Sequence, residues 1–361
     1  MDYCNSDKIG LKWNSYLTQA GLDSFFSNQL TTFLYEFEQE WSYHFKDVSY
    51  QLCQLESGNR LRPIISFLGY LISEDEVPLT PNDFGKIVKV GICIELIHKS
   101  SLIIDDIVDG DSFRRGKTTF HIANGLDKAI AVTSYLISKS FGLLIEVLSK
   151  SNMPENMSLK CVQLSINILN DLSTGLLKEL SMDDSDFSNL KLTEEIIHYE
   201  AASIIKNSLV IGYILRGGNN SKVVDCLDEI GENCGYIFQV LNDIEPYKKS
   251  TEYINHKVKD ELESFHKRKN IVTTFILQMM NAKDRIALNL IEDKSHAQKK
   301  LFEYFDKHDV YNHFTTEIEA IKENIIELGQ TMNKQGVSRR WCENCKNFIE
   351  SLTKMALDRV I

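Results

Sequence analysis

Apolar residues recur three and four positions apart along most of the chain, which is the spacing of amphipathic helices. The segment VGICIELIHKSSLIIDDIVD, residues 90–109, carries Ile92, Leu96, Ile103 and Ile107 among other apolar residues. Because apolar side chains occupy most of its circumference, the pattern predicts a helix buried inside the protein. Similar spacing predicts three further helices, at residues 161–181, 193–215 and 226–245.

Segments with the alternating pattern of strands are scarce, and only five prolines interrupt the chain. These features predict an all-α protein, a helical bundle of about ten helices or more. Turn-forming residues cluster at several points, but each cluster is too short to be an interdomain linker. We therefore expect one domain over residues 1–361, with a core at about 50–280 and a more polar helical extension at about 281–361.

The composition, with 43% hydrophobic and 25% charged residues, is that of an ordinary globular protein. The net charge of −11 argues against nonspecific nucleic-acid binding, so no nucleic-acid partner is expected. No stretch comes near the roughly 18 unbroken apolar residues of a membrane span, and the acidic amino terminus lacks the features of a signal peptide. These observations predict a cytoplasmic protein whose eight cysteines stay reduced.

The close cysteine pair in the sequence is Cys342 and Cys345, in the predicted C-terminal extension. A Cys-x-x-Cys pair can form half of a zinc site, but the sequence has no second pair at matching spacing. Two thiols on one helix face are therefore the favoured interpretation, and the role of the extension stays open.

The end of the buried segment crowds aspartates against arginines, in the sequence DDIVDGDSFRRGK. On a helix, Asp105 and Asp109 lie one turn apart on the same face, with Asp106 beside them. Stacked like charges repel, so this face favours a counter-ion, and carboxylate oxygens are the ligands that Mg²⁺ prefers. Arg114 and Arg115 follow, and the arginine fork matches phosphate oxygens. The pattern suggests a metal–phosphate site, and a solvated acidic helix end with internal Asp–Arg pairs is the alternative.

The stretch ELIHKSSLIIDDIVDGDSFRRGKTTFH, residues 95–121, resembles the first aspartate-rich motif of the trans-isoprenyl diphosphate synthases, also called polyprenyl synthetases. The lead-in, the Asp-Asp-x-x-Asp and the Arg-Arg-Gly tail are all in register with that motif. Three further stretches resemble family motifs in family order: SGNRLRP (57–63), YEAASIIKNS (199–208) and, for the second aspartate motif, GYIFQVLNDIEPY (235–247).

This resemblance implies a barrel of helices around a deep cavity and a Mg²⁺-dependent prenyltransferase that ionises an allylic isoprenoid diphosphate. Position by position, it implies that Asp105 and Asp109 ligate metal and that Asp106 supports them, with three Mg²⁺ ions expected in all. It implies that Arg114 and Lys206 hold the allylic diphosphate. The residues implied for the diphosphate of isopentenyl diphosphate are Arg62, His98 and Arg115.

Two of these assignments compete with ordinary structural roles. A lysine such as Lys206 on an amphipathic helix is often a surface residue, and a histidine such as His98 on an apolar helix is often a satisfied core residue. In the family register the functional role is favoured for both. The basic tract at residues 267–269 fits either a family lysine or a solvated turn.

The resemblance also implies a substrate-binding Gln239, a catalytic set of Asp105, Asp106, Asp109 and Lys206, and metal ligands Asn242 and Asp243.

The second aspartate motif departs from the family pattern. It reads NDIEP where the family has Asp-Asp-x-x-Asp: Asn242 replaces an acid, Asp243 remains, Glu245 is new, and Pro246 stands at the last aspartate. An amide oxygen ligates Mg²⁺ more weakly than a carboxylate, and a proline favours a kink or a helix end. We therefore expect a weakened metal site on this side. Other departures from the family occur at Asn59, Ile104, Thr118 and Leu176.

Elongation is the predicted reaction: isopentenyl diphosphate adds to the allylic cation and gives a longer polyprenyl diphosphate. Three alternatives stay open at this point. The first is a class I terpene synthase, which cyclises its own prenyl diphosphate. The second is a prenyltransferase for a peptide or an aromatic acceptor, and the third is a non-catalytic partner subunit. A homodimer is expected, with a heteromer as the other possibility.

In the family, bulky aromatic residues four or five positions before the first aspartate floor the cavity. Those positions hold Ser101 and Ser100, so the floor is expected to be open. We predict that chains longer than fifteen carbons fit, unless Phe141 or another aromatic from a facing helix closes the tunnel.

Overall fold

A computed structural model of the chain describes residues 21–45, 60–72, 78–114, 117–183, 186–248, 270–289, 291 and 294–358. Helices dominate these residues, and the strands found among them form one short antiparallel hairpin of β1 (Phe113–Arg114) and β2 (Lys117–Thr118). The predicted all-α fold class is confirmed.

The helices of the first half are α1 (Ser24–Phe45), α2 (Leu61–Tyr70), α3 (Pro81–Asp109), α4 (Phe120–Asn124), α5 (Leu126–Ser149) and α6 (Glu155–Leu180). A 3-10 turn (Asp186–Ser188) follows, and a π-helical turn (His198–Ala202) joins α7 and α8 into one continuous helix. The helices of the second half are α7 (Leu190–Ile197), α8 (Ser203–Leu215), α9 (Ser221–Lys248), α10 (Ile271–Met279), α11 (Ala282–Asn289), α12 (Lys294–Lys307), α13 (Val310–Lys334) and α14 (Arg339–Asp358).

Helix α3 carries signals that fix both of its ends. The side chain of Thr80 accepts a hydrogen bond from the backbone N–H of Asp83, and Asp83 accepts one from the N–H of Thr80, which forms a capping box. Pro81 occupies the first turn, where its missing N–H costs nothing. The helix ends at Gly110, whose φ of 68° lies in the left-handed region that favours glycine. The aspartates of the first motif therefore stand in the last turn of a well-defined helix.

Helices α3 and α8 lie at the centre of the bundle. Helix α3 packs on α1, α2 and α5, and α8 packs on α2, α6 and α9. At the crossing of α8 with α2, a Cβ on Gly212 would lie 1.9 Å from the carbonyl oxygen of Ser66. On α9, a Cβ on Gly235 would lie 2.3 Å from Cα of Ala202. The missing side chains thus allow these helices to approach closely.

The C-terminal helices pack against the rest of the protein. Helices α13 and α14 contact α9, and the indole N–H of Trp341 donates a 2.9 Å hydrogen bond to the carbonyl of Leu68. Nε of Arg340 donates to Asp23 over 2.7 Å, and this bond lowers the pKa of Asp23 to about 2. Buried apolar residues from Phe26 to Ile349 form one cluster. The division into a core and an extension stays a prediction.

Helix α5 is long and apolar enough to cross a membrane, judged by length and composition, and 33% of its apolar segment is buried. One such helix among the described residues is weak evidence for a span, because core helices of soluble proteins have the same character. The predicted absence of a membrane span, the cytoplasmic location and the absence of a nucleic-acid partner stay predictions.

Candidate active site

Three aspartates at the end of α3 form a cluster with different exposures. Asp106 is buried, Asp105 is half-buried and Asp109 is exposed. Burial raises the pKa of Asp105 to about 7, against the opposing charge of Arg114. The carboxylates of Asp109, Asp106 and Glu179 raise it further. Carboxylates this close repel one another, which favours a bound cation.

The hairpin after α3 returns Arg114 to this cluster. Nε of Arg114 donates a hydrogen bond of 2.5 Å to Oδ1 of Asp106. Burial raises the pKa of Asp106, and the guanidinium of Arg114 opposes that shift. Arg114, predicted to bind the allylic diphosphate, is therefore ion-paired with Asp106 of the first motif. Arg115, predicted for the second diphosphate, lies outside the described residues.

Glu179, near the end of α6, is a residue that the sequence analysis missed. Its carboxylate acts on Asp105 from a helix that contacts α3, and it raises the pKa of that aspartate. It comes three residues after Leu176, one of the positions where the chain departs from the family. Residues three apart lie on the same helix face, so Glu179 shares a face with Leu176. This spacing is the sequence signal by which Glu179 could have been predicted as a site residue.

A second cluster of charges lies where α2 begins. The guanidinium of Arg60 is 1% exposed and donates to Glu38 over 2.8 Å and to Glu95 over 3.2 Å. Nζ of Lys99 lies 3.5 Å from the same oxygen of Glu95. Burial raises the pKa of Glu95, but the charges of Lys99, Arg60 and Arg62 outweigh it and hold the pKa below its usual value. Arg62, predicted for isopentenyl diphosphate, therefore stands beside a buried ionic network.

The two serines at the positions predicted to leave the cavity floor open have different surroundings on α3. Ser100 is 1% exposed, and its hydroxyl donates to the carbonyl of Ile97 over 2.6 Å. Ser101 is half-buried, and its hydroxyl donates to the carbonyl of His98 over 2.9 Å. The side chain of His98, predicted for isopentenyl diphosphate, is also half-buried. Of the two serines, Ser101 has the surface that a ligand can reach.

Lys206, on α8, lies in a third cluster. Its Nζ is 3.4 Å from Oε2 of Glu232 on α9, and Oε1 of Glu232 is 2.5 Å from Nδ1 of His198. Burial raises the pKa of Asp228, another α9 residue, and Lys206 opposes that shift. The acidic partners of Lys206 in the structure thus lie on α9. The charged residues that shift the pKa of Asp105 lie instead on α3, on the hairpin and on α6.

The second motif, at the end of α9, divides between surface and interior. Asn242 is exposed, whereas Asp243 is buried. The amide of Gln239 donates to Oδ1 of Asp243 over 2.8 Å, and the backbone N–H of Ile271 donates to Oδ2 over 2.8 Å. Burial raises the pKa of Asp243 to about 7, and these hydrogen bonds oppose the shift. Asn59 and the basic tract at 267–269 lie outside the described residues.

The cysteine pair lies in the interior of the C-terminal helices. Sγ of Cys342 donates a 3.2 Å hydrogen bond to the carbonyl of Gly329 on α13. Burial raises the pKa of Cys342 to about 11 and raises that of Cys345 as well. Both thiols therefore stay protonated at neutral pH, which makes them weak nucleophiles and weak metal ligands.

The α3 side of the site fits Mg²⁺. In the described part of the chain, no three His, Cys, Asp or Glu side chains are grouped as ligands of one ion. Mg²⁺ needs only one or two protein carboxylates when water and phosphate oxygens complete its shell. Asp105 and Asp109 provide such a pair on one helix face, and the carboxylate of Glu179 acts on Asp105 as well. Asp243, by contrast, has a hydrogen bond on each carboxylate oxygen.

Comparison with known proteins links the chain to named relatives. The polyprenyl synthetase family model matches residues 44–307. The geranylgeranyl diphosphate synthase of Sulfolobus acidocaldarius is 26% identical over 296 residues, which cover 81% of this chain and 86% of the relative. That of Saccharolobus solfataricus is 31% identical over 191 residues, 52% of this chain and 53% of the relative. Solanesyl diphosphate synthase 2 of Arabidopsis thaliana is 28% identical, over 57% of this chain and 46% of the relative. The chain thus spans about half the length of several curated relatives that it matches.

Solved structures share the fold across nearly the whole chain. The geranylgeranyl pyrophosphate synthetase of Pyrococcus horikoshii has a TM-score of 0.60 at 19% identity, covering 98% of both chains. A Caulobacter crescentus polyprenyl synthase, complexed with calcium and isoprenyl diphosphate, has a TM-score of 0.68 at 16% identity, covering 90% of this chain and 97% of that one. These likenesses confirm the predicted isoprenoid-synthase-type fold. Because the family match spans most of the sequence, the predicted kinship is confirmed as well, and the chain belongs to the polyprenyl synthetase family.

Proposed function

We propose that the chain is a Mg²⁺-dependent prenyltransferase that ionises an allylic isoprenoid diphosphate and condenses it with isopentenyl diphosphate. The observation that carries this proposal is the aspartate cluster of α3, where Asp105 and Asp109 lie one turn apart on one face of the helix beside the buried Asp106. Such a site stabilises a cation and, through it, an anionic substrate. Family membership and relatives named geranylgeranyl and solanesyl diphosphate synthases support a reaction of this type.

Asp105 and Asp109 are the proposed Mg²⁺ ligands, and Asp106 is held in place beside them by Arg114. Bound Mg²⁺ supplies the positive charge that neutralises the departing diphosphate and lowers the barrier to breaking the C–O bond. The apolar residues of α3 that precede these carboxylates are proposed to keep water from the reacting carbon. The proposed count of three ions includes one on the α9 side, where Asn242 offers a neutral amide oxygen.

Arg114 and Lys206 are the proposed ligands of the allylic diphosphate. Each is ion-paired in the structure, Arg114 with Asp106 and Lys206 with Glu232. Substrate binding therefore exchanges a carboxylate partner for phosphate oxygens at each cation. The proposal for Lys206 requires the larger change, because its present acidic partners lie on α9. Gln239, on α9 beside the second motif, is proposed to bind the substrate.

Arg62, His98 and Arg115 are the proposed ligands of the second diphosphate. The backbone before α2 is fixed by the buried Arg60, whose φ of 49° is left-handed and whose guanidinium is held by Glu38 and Glu95. A fixed start of α2 preorganises the position from which Arg62 extends. A second diphosphate site has a use in elongation and none in cyclisation. The retained cations therefore support elongation over the cyclase alternative.

A product longer than fifteen carbons is part of the proposal. The small, half-buried Ser101 stands one turn before Asp105, where an aromatic residue would restrict the cavity. Phe141 on α5 is half-buried and packs against the apolar core. Two relatives are named for geranylgeranyl diphosphate, a chain of four isoprene units, which supports this length.

A homodimer through α5 and α6 is the proposed assembly. Leu126, Ile130 and Ile145 share one face of α5 and are each at least 50% exposed, and Leu159 and Leu177 share an equally exposed face of α6. The two helices contact each other, and we propose that these side chains adjoin in one apolar surface. Contiguous exposed apolar surface of this kind marks an interaction site, and a second copy of the chain covers it by two-fold symmetry.

Light scattering of the purified protein tests the assembly. We expect a dimer for the unaltered chain and a monomer for the double variant Ile130→Lys and Leu177→Lys, with Lys128→Ala as a matched surface control that stays dimeric. A monomeric unaltered protein would refute the dimer. Sedimentation with lipid vesicles by the unaltered protein would point instead to a membrane face on α5.

Product analysis tests the proposed reaction. The purified protein is incubated with Mg²⁺ and geranyl, farnesyl or geranylgeranyl diphosphate, with and without isopentenyl diphosphate, and the products are identified by mass spectrometry. We expect products that grow by isoprene units and keep a diphosphate. A hydrocarbon or alcohol formed without isopentenyl diphosphate would show a cyclase. Conversion that requires an added peptide or aromatic acceptor, or a second subunit, would show one of the remaining alternatives.

A further inference from the structure

Asp243 of the second motif joins α9 to α10. The carboxylate accepts the backbone N–H of Ile271, in the first turn of α10, where the N–H groups have no partner within the helix. The other carboxylate oxygen accepts the amide of Gln239, one turn earlier on α9. The side-chain amide of Asn270 donates to the backbone carbonyl of Asp243 over 3.2 Å. We call Asp243, Asn270 and Ile271 the α9–α10 clasp.

The clasp is part of a larger buried polar contact. Asn270 caps α10 by accepting the backbone N–H of Thr273 over 2.9 Å. The hydroxyls of Tyr247 and Thr273 lie 2.7 Å apart, one turn of α9 beyond Asp243. Every one of these side chains is buried, so an unmet donor or acceptor here costs stability. The carboxylate of Asp243 thus satisfies the buried backbone N–H of Ile271 as well as the half-buried amide of Gln239.

Asn242 and Asp243 lie about 100° apart around α9, as neighbours on any helix do. This rotation places the first on the exposed side and the second, at 6% exposure, against α10. The position of the second motif that faces outward is therefore occupied by an amide. The remaining aspartate of the motif is committed to the clasp.

We propose that Asp243 is a positioning residue that anchors α10 to α9, and that Asn242, rather than Asp243, is the residue of this pair available to a metal–diphosphate complex. This inference rests on the proposed Mg²⁺-dependent function. The carboxylate of Asp243 leaves the α9 side without a motif aspartate for the metal, and the α3 cluster provides the strong Mg²⁺ ligands. The first positions of the two motifs are therefore asymmetric, with the carboxylate of Asp105 on α3 and the amide of Asn242 on α9.

The conservative substitution Asp243→Asn separates the two roles. Asparagine keeps an acceptor for the N–H of Ile271, and its amide can pair with Gln239 after that side chain rotates, but it is a poorer Mg²⁺ ligand. Mg²⁺ is titrated calorimetrically into full-length protein with inorganic diphosphate. We expect binding within about twofold of wild type for Asp243→Asn and weakening by about tenfold or more for Asp105→Asn. Equal weakening in both variants would overturn the proposal.

Two further variants test the clasp and the exposed position. In EDTA without diphosphate, Asp243→Ala lowers the thermal midpoint by about 3 °C or more, because the buried N–H of Ile271 and the half-buried amide of Gln239 lose their acceptor, whereas Asp243→Asn stays near wild type. Asn242→Asp is expected to tighten Mg²⁺ binding by about threefold or more, since it adds a charge at the exposed position. An unchanged midpoint for Asp243→Ala, or weaker binding for Asn242→Asp, would contradict the proposal.

Wild-type protein that binds no Mg²⁺ in the presence of diphosphate would refute the proposed function itself. Normal binding by wild type with a selective loss in Asp243→Asn would refute the inference alone. If Asp243→Ala fails to fold, that result agrees with the clasp, and the Mg²⁺ titration of Asp243→Asn still decides the question.

Discussion

Asp105 on α3 and Asp243 on α9 both have a pKa raised to about 7, yet their surroundings differ. Burial raises the pKa of Asp105 with added repulsion from three carboxylates, and the charge of Arg114 opposes the shift. Burial raises the pKa of Asp243 as well, but two donors stabilise that carboxylate. A carboxylate surrounded by other carboxylates, such as Asp105, favours binding of a cation from solution. A carboxylate with a hydrogen-bond donor on each oxygen, such as Asp243, already has its partners within the protein. The same direction of shift therefore accompanies a proposed binding site in one helix and a proposed structural contact in the other.

Removing the charge of the α3 cluster is expected to have the largest effect. Asp105→Ala should reduce the turnover of allylic diphosphate by about a thousandfold, on the order of 4 kcal/mol, because the cation that neutralises the leaving group loses a ligand. Steady-state release of diphosphate measures this effect. Asp127→Asn, an exposed acid in the first turn of α5, is the matched control and should keep full activity. Full turnover by Asp105→Ala would end the assignment of α3.

Removing Arg62 should affect one substrate only. Arg62→Met is expected to raise the KM for isopentenyl diphosphate by about 30-fold, equivalent to roughly 2 kcal/mol for a charge-assisted contact, and to leave the KM for the allylic substrate within about threefold. Two-substrate kinetics measure both constants. Arg339→Met removes an exposed arginine from α14 and should change neither. An equal rise in both constants would show that Arg62 does not distinguish the two diphosphates.

The pH dependence of metal binding should follow Asp105. Its folded pKa is raised from about 4 to about 7, so the metal-free protein is stabilised by this group below pH 4 and loses that contribution as the pH rises through 7. Mg²⁺ binds the deprotonated carboxylate, so its affinity should rise by up to about tenfold per pH unit between pH 5 and 7 and then level off. Calorimetry in buffers of different ionisation enthalpy should detect up to about one released proton at pH 6. Asp105→Asn should flatten this profile.

The smallest change expected is in product length. Ser101→Phe should shorten the longest product by one or more isoprene units without a large loss of rate, since it fills space one turn before the first aspartate. The same substitution at Ser100 should instead lower stability, because that side chain is 1% exposed and has no room for a ring. Product chromatography and thermal unfolding distinguish the two. Identical product lengths for Ser101→Phe and wild type would refute the prediction that a side chain at position 101 limits the cavity.

The helical fold was predictable from the sequence because its signals are local. Apolar spacing in α3, α6, α8 and α9 follows the helical period, and Pro81 and Gly110 mark the ends of α3. The first motif was equally accessible, since Asp105 and Asp109 need only one turn of helix to come together. These inferences required no knowledge of which helices pack on each other.

The other parts of the site depend on contacts between helices, which periodicity does not encode. Glu179 reaches Asp105 only because α6 packs on α3, and Lys206 finds Glu232 only because α9 packs on α8. The clasp joins residues 28 positions apart in sequence, Asp243 and Ile271. The sequence analysis recognised Asn242 as a departure, but the burial of its neighbour became visible only in three dimensions.

The dependence of diphosphate release on isopentenyl diphosphate tests the central claim most directly. Release from geranyl, farnesyl or geranylgeranyl diphosphate is measured with Mg²⁺, in parallel with and without isopentenyl diphosphate, on the unaltered protein. Elongation predicts slow release alone and a large, saturable acceleration by isopentenyl diphosphate that Asp105→Ala abolishes. Rapid release that ignores isopentenyl diphosphate would contradict the account.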